Sequence, residues 1–296
     1  MKHKKEGMSV AEVIIANKSY VVADAIRQAE AQLALLSYKE ALKATDLSLS
    51  TVRKYIRCID TYVQWLGLKT VSSETAHEFL GVLKGKGFTS STQRCYYHAL
   101  RPFLADHEIV FQAKFKKRKH LPIYHPIEQV RAILEAVDTV KDKYHKRTRD
   151  HLIVLLLAYT GMRRGELLNL RMRDINFSAR MILVHGKGDK DRAIPIAASL
   201  YECLHDFTAA LTSSERIIDL QPKRLSNIVR RYARLAHVDG FHTHSFRHFF
   251  ATQLIEKGTS LKDVQELLGH EDISTTAIYI DLVPKHLSDA VNRLEI

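Results

Sequence analysis

Four short segments in the second half of the chain carry side chains suited to chemistry on a phosphate. TGMRRGEL, residues 160–167, places Arg163 and Arg164 just past a helix-ending glycine, with Glu166 one turn further on. An arginine at a helix start opposes the helix dipole, which favours anions there. A bound phosphate facing both the guanidinium and the helix end removes that conflict. Taken alone, the segment reads best as a pair of surface arginines. GKGDKD, residues 186–191, reads as a hairpin tip whose glycines allow close backbone approach. A lysine there, Lys187 or Lys190, is a mobile point charge and a proton donor. HTHSFRHFF, residues 242–250, sets His244 and Arg247 three residues apart on one helix face. Its histidines His242, His244 and His248 also raise the question of a metal, but no Cys or carboxylate accompanies them, and no metal site is expected. LLGHEDISTTAIYI, residues 267–280, carries His270 after another helix-ending glycine and Tyr279 nine residues later. A tyrosine on a helix is ordinarily half-buried packing, so this one draws meaning only from its company.

These side chains need a scaffold. Helices are expected at 127–138 and 147–160, the second closed by Gly161. The β-prone runs 180–185 and 192–196 flank GKGDKD and predict a hairpin. Further helices are expected at about 222–236, 244–257, 261–268, 274–281 and 285–294, with Ser260 and Asp263 forming a capping box. Upstream, Thr51, Tyr55, Ile59, Tyr62 and Trp65 fall at helical spacing along one face. Ser73 and Glu74 open a second helix. Ser90 and Ser91 are the expected caps of a third, with Tyr96, Leu100 and Phe103 on one face. The expected fold is therefore mainly α with a small β-sheet. Its divisions are an N-terminal extension, 1–45, expected to be helical; a helical domain, 46–113; a basic linker, 114–126; and a second domain, 127–296. The linker, KFKKRKHLPIYHP, carries Lys114, Lys116, Lys117, Arg118 and Lys119. It is either a solvated loop or a segment lying along a phosphate backbone.

Composition agrees with an anionic partner. The 296 residues suit about two domains. With 45 Lys and Arg against 33 Asp and Glu, the net charge is +12, which favours nucleic acid ahead of an anionic membrane. Hydrophobic residues at 46% and charged ones at 26% exclude whole-chain disorder. Cys58, Cys95 and Cys203 form no CxxC pair and suggest a reducing compartment rather than a disulfide framework. The longest apolar run, Leu152 to Tyr159, is too short for a membrane span. Glu12 and Lys18 interrupt what would be a signal peptide.

In this order, the four segments resemble the tyrosine recombinase (phage integrase) family, most closely its Xer-like members. The family pattern is an Arg after a TG turn, a hairpin Lys, H-x-x-R, a GH, and a Tyr nine residues after that His. The matching positions are Arg163, Lys187, His244, Arg247, His270 and Tyr279, with Glu166 at the family's acidic position. The resemblance runs from about residue 46 to the C-terminus and is densest over 150–281. Gly165 departs from the usual Ser, and the first 45 residues exceed what compact Xer-like members carry.

The resemblance implies a two-domain DNA clamp, a helical core-binding domain plus a mixed α/β catalytic domain. It also implies a site-specific DNA recombinase that cleaves and rejoins strands through a covalent 3′-phosphotyrosine, for integration, excision or dimer resolution. Tyrosine is a weak nucleophile at its usual pKa of about 10, so anion stabilisation and proton transfer are required. Arg163 and Arg247 would fork around the scissile phosphate. Tyr279 would attack, His244 would move its proton, Lys187 would protonate the leaving 5′ oxygen, His270 would hydrogen-bond the phosphate, and Glu166 would orient its neighbours. The covalent link conserves the bond energy, so no ATP is expected, and the chain has no P-loop. No acidic cluster suited to a two-metal nuclease accompanies the arginines, so no metal cofactor is expected either. Expected partners are double-stranded DNA bearing a recombination site and a homotetramer on that DNA, in which a second recombinase is a possible member. No membrane is involved, and the location is cytoplasmic, with the nucleoid. Leu287, Val291 and Leu294 stripe a C-terminal docking helix, in a neighbouring protomer or on its own domain. A type IB topoisomerase and a non-catalytic DNA-binding protein of the same fold are the alternatives.

Overall fold

The computed structural model describes residue 29 and residues 32–115, 122–140, 144–186 and 191–279. The chain divides into two compact units, Met1–Lys119 and His120–Ile296.

In the first unit a helix over 32–43 (α1) precedes α2 (Leu49–Leu66), α3 (Ser73–Gly85) and α4 (Ser90–Ala105). Each of the last three starts on a hydroxyl cap: Ser48 accepts from the Thr51 amide, Ser72 from Thr75 and Thr89 from Thr92. The caps expected at Ser90 and Ser91 thus give way to Thr89. In a run of four hydroxyl residues, Thr89 to Thr92, the one that caps is set by where the apolar face begins. That face packs Leu100 and Phe103 against Ile59, Tyr62 and Phe79. The α2 stripe is rotated slightly from the expected one. Val52, Cys58, Ile59, Tyr62 and Leu66 are buried, while Thr51, Tyr55 and Trp65 flank them half-buried.

The second unit runs α5 (Ile127–Thr139), α6 (Tyr144–Thr160), α7 (Arg164–Asn169), a 3₁₀ turn (Met172–Asp174), β1 (Ile175–Asn176), β2 (Met181–Val184) and β3 (Arg192–Pro195). It continues with α8 (Ala198–Thr208), α9 (Pro222–Leu235), α10 (Thr243–Glu256), α11 (Leu261–Leu268) and α12 (Ser274–Ala277). The expected hairpin forms, with Ile182 opposite Ile194, and β1 joins its outer edge to make a three-stranded antiparallel sheet. The architecture is mainly α with a small sheet, as the periodicities imply. The helix expected over 274–281 is formed over Ser274–Ala277, and residues 280–296, including the expected docking helix, lie outside the described residues. Leu152 to Leu157 are all buried at the centre of the core, which explains why the second half of α6 is apolar on every side. Around it pack α5, α8 and α10. Among the described residues no helix is long and apolar enough to cross a membrane.

Candidate active site

Three helix junctions of the second unit converge on one cleft. At the first, α6 ends at Thr160, Gly161 turns the chain at φ +58°, and Arg163 caps α7. The Glu166 carboxylate, one turn into α7, accepts from the Arg163 backbone amide at 2.7 Å and from its Nη1 at 2.8 Å. It also accepts from Arg192 Nη2 at 2.8 Å. Burial by itself would raise the Glu166 pKa. The Arg192 bond, the Arg163 amide and the Arg192 charge outweigh burial and hold it near 2. Arg163 therefore leans on a permanently ionised carboxylate while its side chain stays exposed to the cleft.

Arg164, the rival of Arg163 in the sequence, points elsewhere: its Nη1 donates to Ser226 Oγ on α9 at 2.9 Å.

At the second junction stands Arg247, only 1% exposed. Its Nη1 donates to the Gly161 carbonyl at 2.9 Å and its Nη2 to the Leu268 carbonyl at 2.6 Å. The guanidinium thus ties the C-terminal end of α6 to that of α11, where helix dipoles favour a cation. Burial, then the nearby Arg163 charge, pushes its pKa down to about 10. Among the described residues one carboxylate, Glu166, meets the charges of Arg163, Arg192 and Arg247, an excess of positive charge that favours an anion.

The third junction is Gly269, left-handed at φ +62°, which ends α11 and presents His270. A Cβ there would stand 3.1 Å from Arg192 Cδ, so a glycine is required both by conformation and by the approach of that arginine. His270 Nδ1 lies 2.8 Å from Thr276 Oγ1. Burial and the charges of Arg247 and Arg163 lower its pKa to about 4, leaving a neutral imidazole. Tyr279 follows α12 and is 2% exposed. Burial raises its pKa, and Arg247 and Arg163 pull in the other direction. His244, exposed on the first turns of α10, has its pKa lowered by the partial desolvation of the cleft and then by Arg247.

The structure thus brings together Arg163, Glu166, His244, Arg247, His270 and Tyr279. Lys187 lies outside the described residues, as do Lys116, Lys117, Arg118 and Lys119 of the linker; Lys114 is described and exposed. His242 caps α10 by accepting from the Ser245 amide. Among the described residues no cluster of three His, Cys, Asp or Glu side chains is placed to hold a metal ion.

Three features escape the sequence reading. Arg192, buried in β3, joins Glu166 to the Leu267 carbonyl, to which its Nε donates at 2.7 Å. The alternation of RAIP places Arg192 on the same inward face as Ile194, a signal open to reading. His248, next after Arg247, lies 3.0 Å through its Nδ1 from the Tyr279 hydroxyl. The exposed face of α9 carries Lys223, Arg224, Arg230, Arg231 and Arg234 with no acidic residue in the helix, a pattern legible as PKRLSNIVRRYARL.

A mainly helical unit thus gathers arginines, histidines and a buried tyrosine in one place. The chain belongs to the phage integrase family, whose model matches residues 126–286. It is similar to tyrosine recombinase XerA of Pyrococcus furiosus, 34% identical over 264 residues covering 83% of this chain and 88% of that one. Tyrosine recombinase XerD of Staphylococcus epidermidis is 30% identical over 265 residues, 79% and 88% of the two chains. Among solved structures, the XerH site-specific recombinase bound to its difH substrate in a pre-cleavage complex matches with a TM-score of 0.68 and 25% identity, over 84% of this chain and 80% of that one. A lambda integrase dimer on a core site shares the fold, with a TM-score of 0.67 at 19% identity. The protein is a site-specific tyrosine recombinase, and the topoisomerase and non-catalytic alternatives are not favoured.

Proposed function

We propose that this recombinase breaks and rejoins DNA with Tyr279 as nucleophile, the scissile phosphate being held between Arg163 and Arg247. The observation that carries this reading is Arg247: a buried cation hydrogen-bonded to two carbonyls, in electrostatic reach of Arg163 and Tyr279, with no carboxylate of its own among the described residues. A phosphate completes it. Attack by the Tyr279 oxygen forms the phosphotyrosine and expels the 5′ oxygen, to which Lys187 gives a proton. His244 takes the tyrosine proton and returns it on religation. His270, neutral, donates one hydrogen bond to a phosphate oxygen, and Glu166 fixes Arg163. Religation reverses the same steps, so no nucleotide cofactor is consumed.

The first unit is the core-binding DNA domain and the second the catalytic domain. Lys114 to Lys119 and the α9 face contact phosphates. The working assembly is a homotetramer on two recombination sites, built through the C-terminal segment, in the nucleoid of the cytoplasm. The test is a nicked suicide duplex bearing the recombination site. Wild-type protein is expected to become covalently linked to the DNA, and Tyr279→Phe to bind the duplex without the adduct. An adduct in Tyr279→Phe overturns the assignment.

A further inference from the structure

The tyrosine hydroxyl has a hydrogen-bond partner to which the recombinase reading gives no task. The Tyr279 oxygen lies 3.0 Å from His248 Nδ1, and the two rings stand 5.5 Å apart at 55°. His248 occupies the turn of α10 after His244, and their rings meet edge to face at 4.6 Å. Among the described residues no hydrogen bond joins His244 itself to Tyr279. The turn that carries His248 is held in place by its neighbour Arg247, whose two carbonyl bonds fix it to the ends of α6 and α11. His248 therefore presents Nδ1 from a rigid mount.

We propose that His248 is a positioning residue for the nucleophile: as a neutral imidazole protonated on Nε2, it accepts the Tyr279 hydroxyl at Nδ1 and sets the place from which that oxygen reaches the phosphate. The inference rests on Tyr279 being the nucleophile. Apolar neighbours pack the Tyr279 ring but offer its hydroxyl no hydrogen bond, and His248 supplies the one that holds the oxygen. The segment that carries it needs the help, because α12 is only four residues long. Burial, then the neighbouring His244, His242, Arg247 and His125, lowers the His248 pKa to about 4. The ring is thus neutral in the working range and its acceptor is free to serve. His248 orients the hydroxyl, and the proton transfer stays with His244 as in the reading above.

Three substitutions separate orientation from bulk. His248→Asn keeps an acceptor oxygen near the position of Nδ1 but loses volume, and His248→Leu keeps volume without an acceptor. His248→Gln moves the acceptor out to the position of Nε2. Single-turnover cleavage of the suicide duplex at saturating protein is the readout, with DNA affinity measured alongside. His248→Leu and His248→Gln are expected to slow cleavage by about tenfold or more with little change in affinity, and His248→Asn to stay within a few-fold of wild type. A space-filling role predicts the reverse order, with His248→Leu faster than His248→Asn. That order, or equal rates in all variants, overturns the proposal.

A second measurement does not depend on how the variants fold. In the ¹⁵N spectrum of the free protein, the His248 Nδ1 resonance is expected to shift downfield, towards an unbonded acceptor, on Tyr279→Phe. An unmoved resonance overturns the proposal even if Tyr279 is the nucleophile. A covalent adduct persisting in Tyr279→Phe fails the nucleophile assignment instead.

Discussion

Arg192 and Glu166 meet at 2.8 Å with only 6% and 7% of their side chains exposed, so the ion pair that steadies Arg163 is itself out of water. Breaking such a pair strands a charge in the protein interior. The depressed Glu166 pKa, about 2 against 4.5, makes the pair a source of stability that is complete above pH 4.5 and lost as pH falls toward 2. Its size is on the order of 3 kcal/mol. Glu166→Gln is expected to lower stability at pH 7 by about that amount and to flatten the fall in stability below pH 4.5. Urea unfolding at pH 7 and at pH 3.5 measures both, and an unchanged acid slope excludes Glu166 as its source.

Gly161 and Gly269 are expected to tolerate alanine poorly, for different reasons. At Gly161 the φ is +58° and a Cβ would stand 2.5 Å from the Phe250 ring, which is packed in a buried cluster. At Gly269 the obstacle is Arg192, whose bonds to Glu166 and Leu267 prevent it from swinging away. Each alanine variant is expected to lose roughly 2 kcal/mol or more. By contrast, a Cβ at Gly165 meets nothing within 4 Å. Gly165→Ser, which restores the usual Xer-like residue, is expected to stay within about 0.5 kcal/mol of the parent. Thermal unfolding of the three variants gives the ranking, and a stable Gly161→Ala would contradict the close packing described.

His270 is expected to titrate near pH 4 in the free protein. Because its folded pKa is lowered from 6.5, its neutral form supports folding above that value, and the support is lost as pH falls from 6.5 to about 4. A phosphate in the cleft adds negative charge and raises the pKa. NMR titration of the imidazole with and without duplex DNA reads both effects. A midpoint near 6.5 in the free protein would leave His270 outside the desolvated cleft.

Replacing Lys223, Arg224 and Arg230 on α9 with glutamine is expected to weaken binding to all duplex sequences alike. Each lost phosphate contact flattens the slope of log affinity against log salt by about 0.9. A specificity change at one base pair, with an unaltered slope, would instead place that residue on a base edge.

The four segments with chemistry were legible because their spacing survives any reading of the fold. The helices that present them were legible from apolar periodicity and helix-ending glycines. What escaped has physical reasons. β1 is two residues long, too short for alternation to register. α8 starts at Ala197 without a side-chain cap, so no start signal announces it. Arg192 looks like one more charge after a lysine-rich turn, and only its place on the inward face of β3 shows that it is buried. His248 drew attention as a metal ligand, and its contact with a residue 31 positions away is tertiary information that no local pattern holds.

Arg247 reaches back 86 residues to Gly161 and forward 21 to Leu268. Contacts of such separation form only when the intervening chain has folded. A polypeptide still being synthesised, complete through α7 but lacking α10 and α11, already carries Arg163 and Glu166 but neither Arg247 nor the Leu268 carbonyl that holds it. The tyrosine comes later still. The long-range ties of the site are therefore among the last features of this recombinase to form during synthesis.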